Sequence, residues 1–186
     1  MAKQKVDEQT IVKEALKLFR SKSYNTTSMS DIAKACGILK GSLYHYFSSK
    51  EELMMKVIAS VHDYFNKEVF SIAYNETLDV ETRIKTMMAK AEYIFIDQET
   101  GTIDGNIGVE TSMVIPAFRP IIQQFFNDFI KAIKTLYLTA FEEKKANGLA
   151  IRAVAEIEGA LILARVFNDK YYLQKTLGRL IKRIEK

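Results

Sequence analysis

The chain has no tryptophan, one cysteine, two histidines, two prolines and eight glycines in 186 residues. Each scarcity excludes something. With Cys36 alone, no intramolecular disulfide can form and no cysteine-rich zinc site can assemble, which fits a reducing cytosol. His45 and His62 show no His-Glu-x-x-His spacing, and no nucleophile–base pair is legible, so only carboxylate chemistry at Glu92 and Glu110 stays open to an enzyme. We expect no catalysis, no metal and no cofactor. So few helix breakers favour long helices over a turn-rich β architecture, and the expected fold class is all-α. No stretch approaches the roughly 20 apolar residues of a membrane span, and the N-terminal twenty residues carry charge where a secretion signal needs an apolar core. A soluble, cytoplasmic protein is expected.

What is present is ordinary globular composition, 48% hydrophobic and 27% charged, with an uneven distribution of charge. Residues 1–50 hold nine Lys/Arg against four Asp/Glu, a net of +5, so residues 51–186 carry −1 of the total of +4. A basic excess confined to the first quarter points to a polyanionic partner for that part, set against a merely solvated basic face.

Apolar residues at helical period predict a first helix over Glu8–Lys22. Ser28 and Asp31 stand at capping-box spacing and predict a second over Met29–Ala35, ended by a left-handed Gly37. A third runs from about Leu39 to Phe47. Ser49 and Glu52 repeat the box and open a long fourth through Val69, which links the expected domains, residues 1–50 and 51–186. Further periodic stretches predict helices over Val80–Phe95 and Val109–Val114. Another starts near Pro120 and ends near Asn147-Gly148, followed by Leu149–Phe167 and Tyr171–Ile184.

Two short helices around a glycine turn form a helix-turn-helix, whose second helix enters the DNA major groove. Leu39, Leu43 and Phe47 share one face, which leaves Lys40, Gly41, Ser42, Tyr44 and His45 for a partner. Lys40 and Ser42 can donate to base edges or phosphates, Tyr44 and Tyr46 can donate phenol hydrogens to phosphates, and Gly41 permits close approach. Lys50 falls in the first turn of the fourth helix, where the dipole favours a phosphate.

The string TTSMSDIAKACGILKGSLYHYFSSKEEL resembles the DNA-binding domain of TetR-type transcriptional regulators, with its Ile-Ala pair, glycine turn, Lys-Gly-x-Leu-Tyr-x-x-Phe and Lys-x-x-Leu. The resemblance implies a homodimeric, usually repressing regulator of a palindromic double-stranded DNA operator, with a helical C-terminal domain that binds a small-molecule effector. The implied DNA-contacting set is Thr27, Ser28, Lys40, Gly41, Ser42, Tyr44, His45, Tyr46 and Lys50. One departure stands out: Leu39 occupies a position where the family often has a capping serine, so the helix start is either frayed or has Leu39 packed inward.

The string GLAIRAVAEIEGALILARVFNDKYYL is similar to the penultimate helix of a TetR subgroup, in which that helix and the preceding long one pair across a dyad. The expected dimer face is Ile151, Ala155, Glu158, Gly159, Ile162 and Arg165, with an intramolecular contact as the competing reading. GTIDGNIGVE, residues 101–110, resembles a Gly-Asn-x-x-x-Glu segment beside the subgroup's ligand chamber. Aromatic and methionine side chains between positions 61 and 141 suggest a small, largely apolar effector. Its candidate contacts are His62, Phe65, Met88, Glu92, Tyr93, Asn106, Glu110, Met113 and Phe126. The alternative function is a helical small-molecule-binding or interaction protein without specific DNA binding.

Overall fold

The computed structural model describes residues 6–93 and 115–184. Among them lie eight α-helices, two 3₁₀ turns and no strand: α1 Glu8–Lys22, α2 Met29–Ala35, α3 Lys40–Tyr44, α4 Lys50–Glu68, a 3₁₀ turn Phe70–Tyr74, α5 Val80–Glu92, a second 3₁₀ turn Pro116–Phe118, α6 Arg119–Tyr137, α7 Glu143–Val166 and α8 Tyr171–Ile184. The fold is all-α, as the scarcity of helix breakers predicts. The described chain divides into two compact units, residues 6–62 with 115–122 and residues 63–93 with 123–184. The segments 101–110 and Val109–Val114 lie outside the described residues.

In the first unit Ile11, Val12, Ala15 and Phe19 of α1 are buried with Ile32 and Ala33 of α2, Leu43 of α3, Phe47, and Leu53, Met54, Val57 and Ile58 of α4. Short helices are marginal alone, so their ends are fixed by side chains. Asp7 accepts from the Thr10 amide at 2.8 Å. Ser49 accepts from the Glu52 amide at 3.0 Å as the spacing predicts, but the Glu52 carboxylate turns back to the amide (2.7 Å) and hydroxyl (2.6 Å) of Ser48. The box is thus shared between two serines. The loop after α1 holds Ser23 at φ 71, ψ 162, a region left almost wholly to glycine and costing a serine about 1–3 kcal/mol.

The second unit is centred on aromatic rings. Phe65, Phe70, Phe125 and Phe129 are buried, with centroids 5.3 Å apart for Phe65–Phe125, 5.6 Å for Phe70–Phe125 and 5.2 Å for the stacked Phe70–Phe129. α5 packs on the Phe70–Tyr74 turn and on α8, and α8 packs on α7. The α7 stripe that faces inward is small, with Ala146, Ala150, Ala153, Ile157 and Leu161 buried. Glu156 binds Arg152 within α7 at 2.8 Å and Arg183 of α8 at 2.9 Å.

Two helix boundaries differ from expectation. α3 ends at Tyr44, because His45 and Tyr46 donate to carbonyls three residues back and carry the chain down to the buried Phe47. The long helix predicted to run to Asn147-Gly148 stops at Tyr137. The chain turns through residues 138–142, and Asn147 and Gly148 sit exposed inside α7. A mid-helix glycine costs about 1 kcal/mol relative to alanine, and the fully buried Ala146 and Ala150 on either side offset it.

Candidate nucleic-acid interface

The reading unit is assembled from its caps. Ser28 accepts from the Asp31 amide at 3.2 Å while the Asp31 carboxylate accepts from the Ser28 amide at 2.9 Å, closing the capping box of α2. The Ser28 hydroxyl, which donates to the same carboxylate at 2.5 Å, and then the Ser28 amide hold the Asp31 carboxyl below its ordinary range. Gly37 ends the turn at φ 67, a left-handed conformation that its missing Cβ makes inexpensive. The turn delivers α3 with Leu43 fully buried and Lys40, Gly41, Tyr44 and His45 exposed, while Ser42 is half-buried. The Lys40 ammonium lies 5.9 Å from the Tyr44 ring centre.

Other members of the predicted set are engaged inside the protein. Thr27 is buried and its hydroxyl donates to the Ser23 carbonyl at 2.7 Å. Tyr46 donates its phenol hydrogen to the Val6 carbonyl at 2.7 Å, strapping the chain ahead of α1 to the end of the recognition turn. The Lys50 ammonium donates to the carbonyls of Tyr24 (3.0 Å) and Thr27 (3.1 Å) and lies 4.2 Å from the Tyr24 ring centre. Ser28 is exposed, with its hydroxyl committed to the cap. Leu39 does not pack inward: it is 71% exposed, and its side chain offers the first turn of α3 no cap.

Of the expected effector contacts, Phe65 is a member of the ring cluster, Phe126 meets Phe125 edge-on at 5.5 Å, His62 is buried and Tyr93 is exposed. Met88 lines a gap of about 10 Å³ with Ile84, Ile133, Leu136 and Tyr137, about enough for a single water. The Glu92 side chain, Asn106, Glu110 and Met113 lie outside the described residues. On α7, Ile151, Ala155, Gly159 and Ile162 share an exposed face, with Glu158 and Arg165 half-buried at its edge. Burial raises the Glu158 carboxyl to about 7 against the opposing pull of the Arg165 guanidinium. Beside that face a groove of about 460 Å³ runs between α7 and α8, lined by Gly159, Leu163, Tyr171, Tyr172, Lys175 and Arg179.

Residues 11–57 match the family described as bacterial regulatory proteins, tetR family, and residues 82–177 match the C-terminal domain of LmrA/YxaF-like transcriptional regulators. The second match alone takes in 96 of the 186 residues. The chain belongs to the TetR family of transcriptional regulators.

Among relatives of this TetR-family chain, an HTH-type transcriptional regulator in the lacX 3′ region of Lactococcus lactis is 28% identical over 91% of this chain and 88% of its own length. The HTH-type regulator YxaF of Bacillus subtilis is 28% identical over 86% and 85%. The negative regulator of the biofilm operon icaADBC, IcaR of Staphylococcus epidermidis, is 38% identical over 30% of each chain. In fold the chain is similar to the crystal structure of a TetR regulator from Legionella pneumophila, with a TM-score of 0.86 at 22% identity over 98% of this chain and 99% of that one. Sequence reasoning missed one residue that shapes the reading unit of this TetR member, the buried Tyr24, and left the placement of Leu39 open. The structural duty of Tyr24 depends on groups distant in sequence, whereas the exposed Leu39 was legible only as a missing cap.

Proposed function

We propose that this TetR-family regulator is a repressor that binds a roughly palindromic DNA operator as a homodimer and is released by a small, largely apolar effector. The single observation that carries the DNA half is the row Lys40, Gly41, Tyr44 and His45, exposed on α3 opposite the buried Leu43. A helix held by that buried row presents donors and a small residue to base edges and phosphates together. In this reading residues 1–50 read DNA and residues 51–186 sense and dimerise. Lys40, Gly41, Ser42, Tyr44 and His45 touch DNA, while Thr27, Ser28, Tyr46 and Lys50 hold the reading unit in shape. The likeness to the negative regulator IcaR favours repression.

Dimerisation rests on the exposed face of α7, where Ile151 and Ile162 are each about half exposed. Small residues beside them, Ala155 and Gly159, permit close helix approach, and a dyad makes such a patch self-complementary. Two recognition helices about 34–36 Å apart then address successive major grooves. The aromatic second unit suits an apolar effector, which weakens DNA binding by its preference for one dimer shape over another. DNA as partner and the absence of a described helix able to cross a membrane are consistent with a cytoplasmic site of action.

Selection from random duplex DNA on the purified protein tests this reading. Enrichment of an inverted repeat is expected; enrichment of no sequence would leave the helix-turn-helix as a scaffold and favour the small-molecule-binding alternative.

A further inference from the structure

Phe118 stands eight residues beyond Glu110, in the stretch of sequence expected to sense the effector. It belongs nevertheless to the compact unit that contains α1, α2 and α3. Its side chain is fully buried and meets the Tyr24 ring edge-on, with centroids 5.8 Å apart and planes at 88°. The Tyr24 ring also tilts against Phe19 at 5.5 Å. On the same ring rests the Lys50 ammonium, which donates to the carbonyls of Tyr24 and Thr27. The loop so clamped contains the strained Ser23, whose carbonyl accepts from the buried Thr27 hydroxyl. One residue further on, Ser28 caps α2.

A strained loop keeps its shape only where its surroundings over-determine it. Here the surroundings include the Tyr24 ring, held by Phe118 and Phe19, the Lys50 ammonium resting on that ring, and the Thr27 hydroxyl on the Ser23 carbonyl. We infer that Phe118 is a positioning residue for DNA binding: by holding the Tyr24 ring under Lys50 it fixes the α1–α2 loop, the capped start of α2 and the first turn of α4. The sequence after residue 110 thereby grips the reading unit at a point separate from α4. Lys50 serves this joint instead of a phosphate. The inference rests on the DNA-binding reading proposed above, and extends it to a residue outside the helix-turn-helix.

The joint is tested on the full chain in two arms. The first needs no DNA. Hydrogen exchange in Phe118→Leu and in Lys50→Met should quicken at amides of residues 23–28 and 50–53 while those of α8 keep their wild-type rates. Tyr24→Phe, which keeps the ring, should exchange as wild type. Unchanged rates at residues 23–28 in both variants overturn the joint, whether or not an operator is ever found. The second arm uses the duplex recovered by selection. Lys50→Met should weaken binding about tenfold and leave the salt slope unchanged; a slope shallower by about 0.9 per lysine would make Lys50 a phosphate contact and overturn its assignment. Phe118→Leu should weaken binding to a similar extent, and the double variant should bind no worse than the weaker single. Losses that multiply would show that the two residues act independently. Should Phe118→Leu fold poorly, Tyr24→Leu in place of it carries the same cycle with Lys50→Met.

Discussion

Helix α2 is seven residues long and α7 twenty-four, and the two are held by different means. α2 is closed at its start by a reciprocal Ser28–Asp31 box and at its end by Gly37, with Lys50 fastening the loop before it. At the start of α7, Glu142 makes no side-chain cap bond, and the helix is kept by a buried stripe of alanines and branched residues against α8. Polar bonds fix direction at single atoms, whereas apolar stripes fix area. A unit proposed to present the side chains of Lys40, Ser42, Tyr44 and His45 to a groove needs the first kind of constraint. A unit proposed to adapt to a ligand and to a second copy can be built on the second.

Breaking the apolar side of that contrast should have the largest effect on stability. Phe125→Ala empties the centre of the ring cluster and should cost about 3–5 kcal/mol in urea unfolding, since Phe125 is buried against Phe65, Phe70 and Phe129. A loss below 1 kcal/mol would mean that the cluster is not the core of its unit.

The next effect is tied to pH. Burial raises the Glu158 carboxyl from its ordinary 4.5 to about 7, so the folded state holds a proton that the unfolded state has already released. Stability contributed by this group is therefore full below about pH 4.5 and is lost as pH rises through 7. Glu158→Gln should raise stability by about 2 kcal/mol at pH 8, discounted for partial exposure, and by almost nothing at pH 4. Thermal melts at the two pH values check it, and equal gains at both would refute the burial.

Smaller effects sharpen the polar side. Ser28→Ala removes one half of the box and should cost about 1 kcal/mol of stability, measurable by chemical denaturation, with faster amide exchange confined to α2. Leu39→Ser supplies the missing cap of α3 and should add about 0.5 kcal/mol, read as a small rise in melting temperature. A fall instead would mean that the exposed leucine makes a contact in the folded protein.

What was legible in the sequence follows the same division. The cap of α2, the left-handed Gly37 and the inward Leu43 depend on neighbours within a few positions, and each stands where the spacing predicts. The use of Lys50 depends on carbonyls 26 and 23 residues away, and that of Tyr46 on one 40 residues away, so no local pattern announces them. Asn147-Gly148 carries the local signature of a helix end, yet the buried alanines around it carry α7 straight through. Aromatic residues that line a chamber and those that fill a core have the same spacing, so the pattern alone does not separate an effector set from a core. Phe65 and Phe125 fill a core.

The most direct measurement is an equilibrium titration of the full chain with the selected duplex and with a shuffled duplex across a range of salt, repeated for Lys40→Ala. The selected duplex should bind at least about 1,000-fold tighter than the shuffled one at physiological salt, and Lys40→Ala should lose about tenfold or more on the selected duplex without a change in melting temperature. Equal, weak binding to both duplexes that vanishes at physiological salt would contradict the assignment of α3 as a reader of DNA sequence.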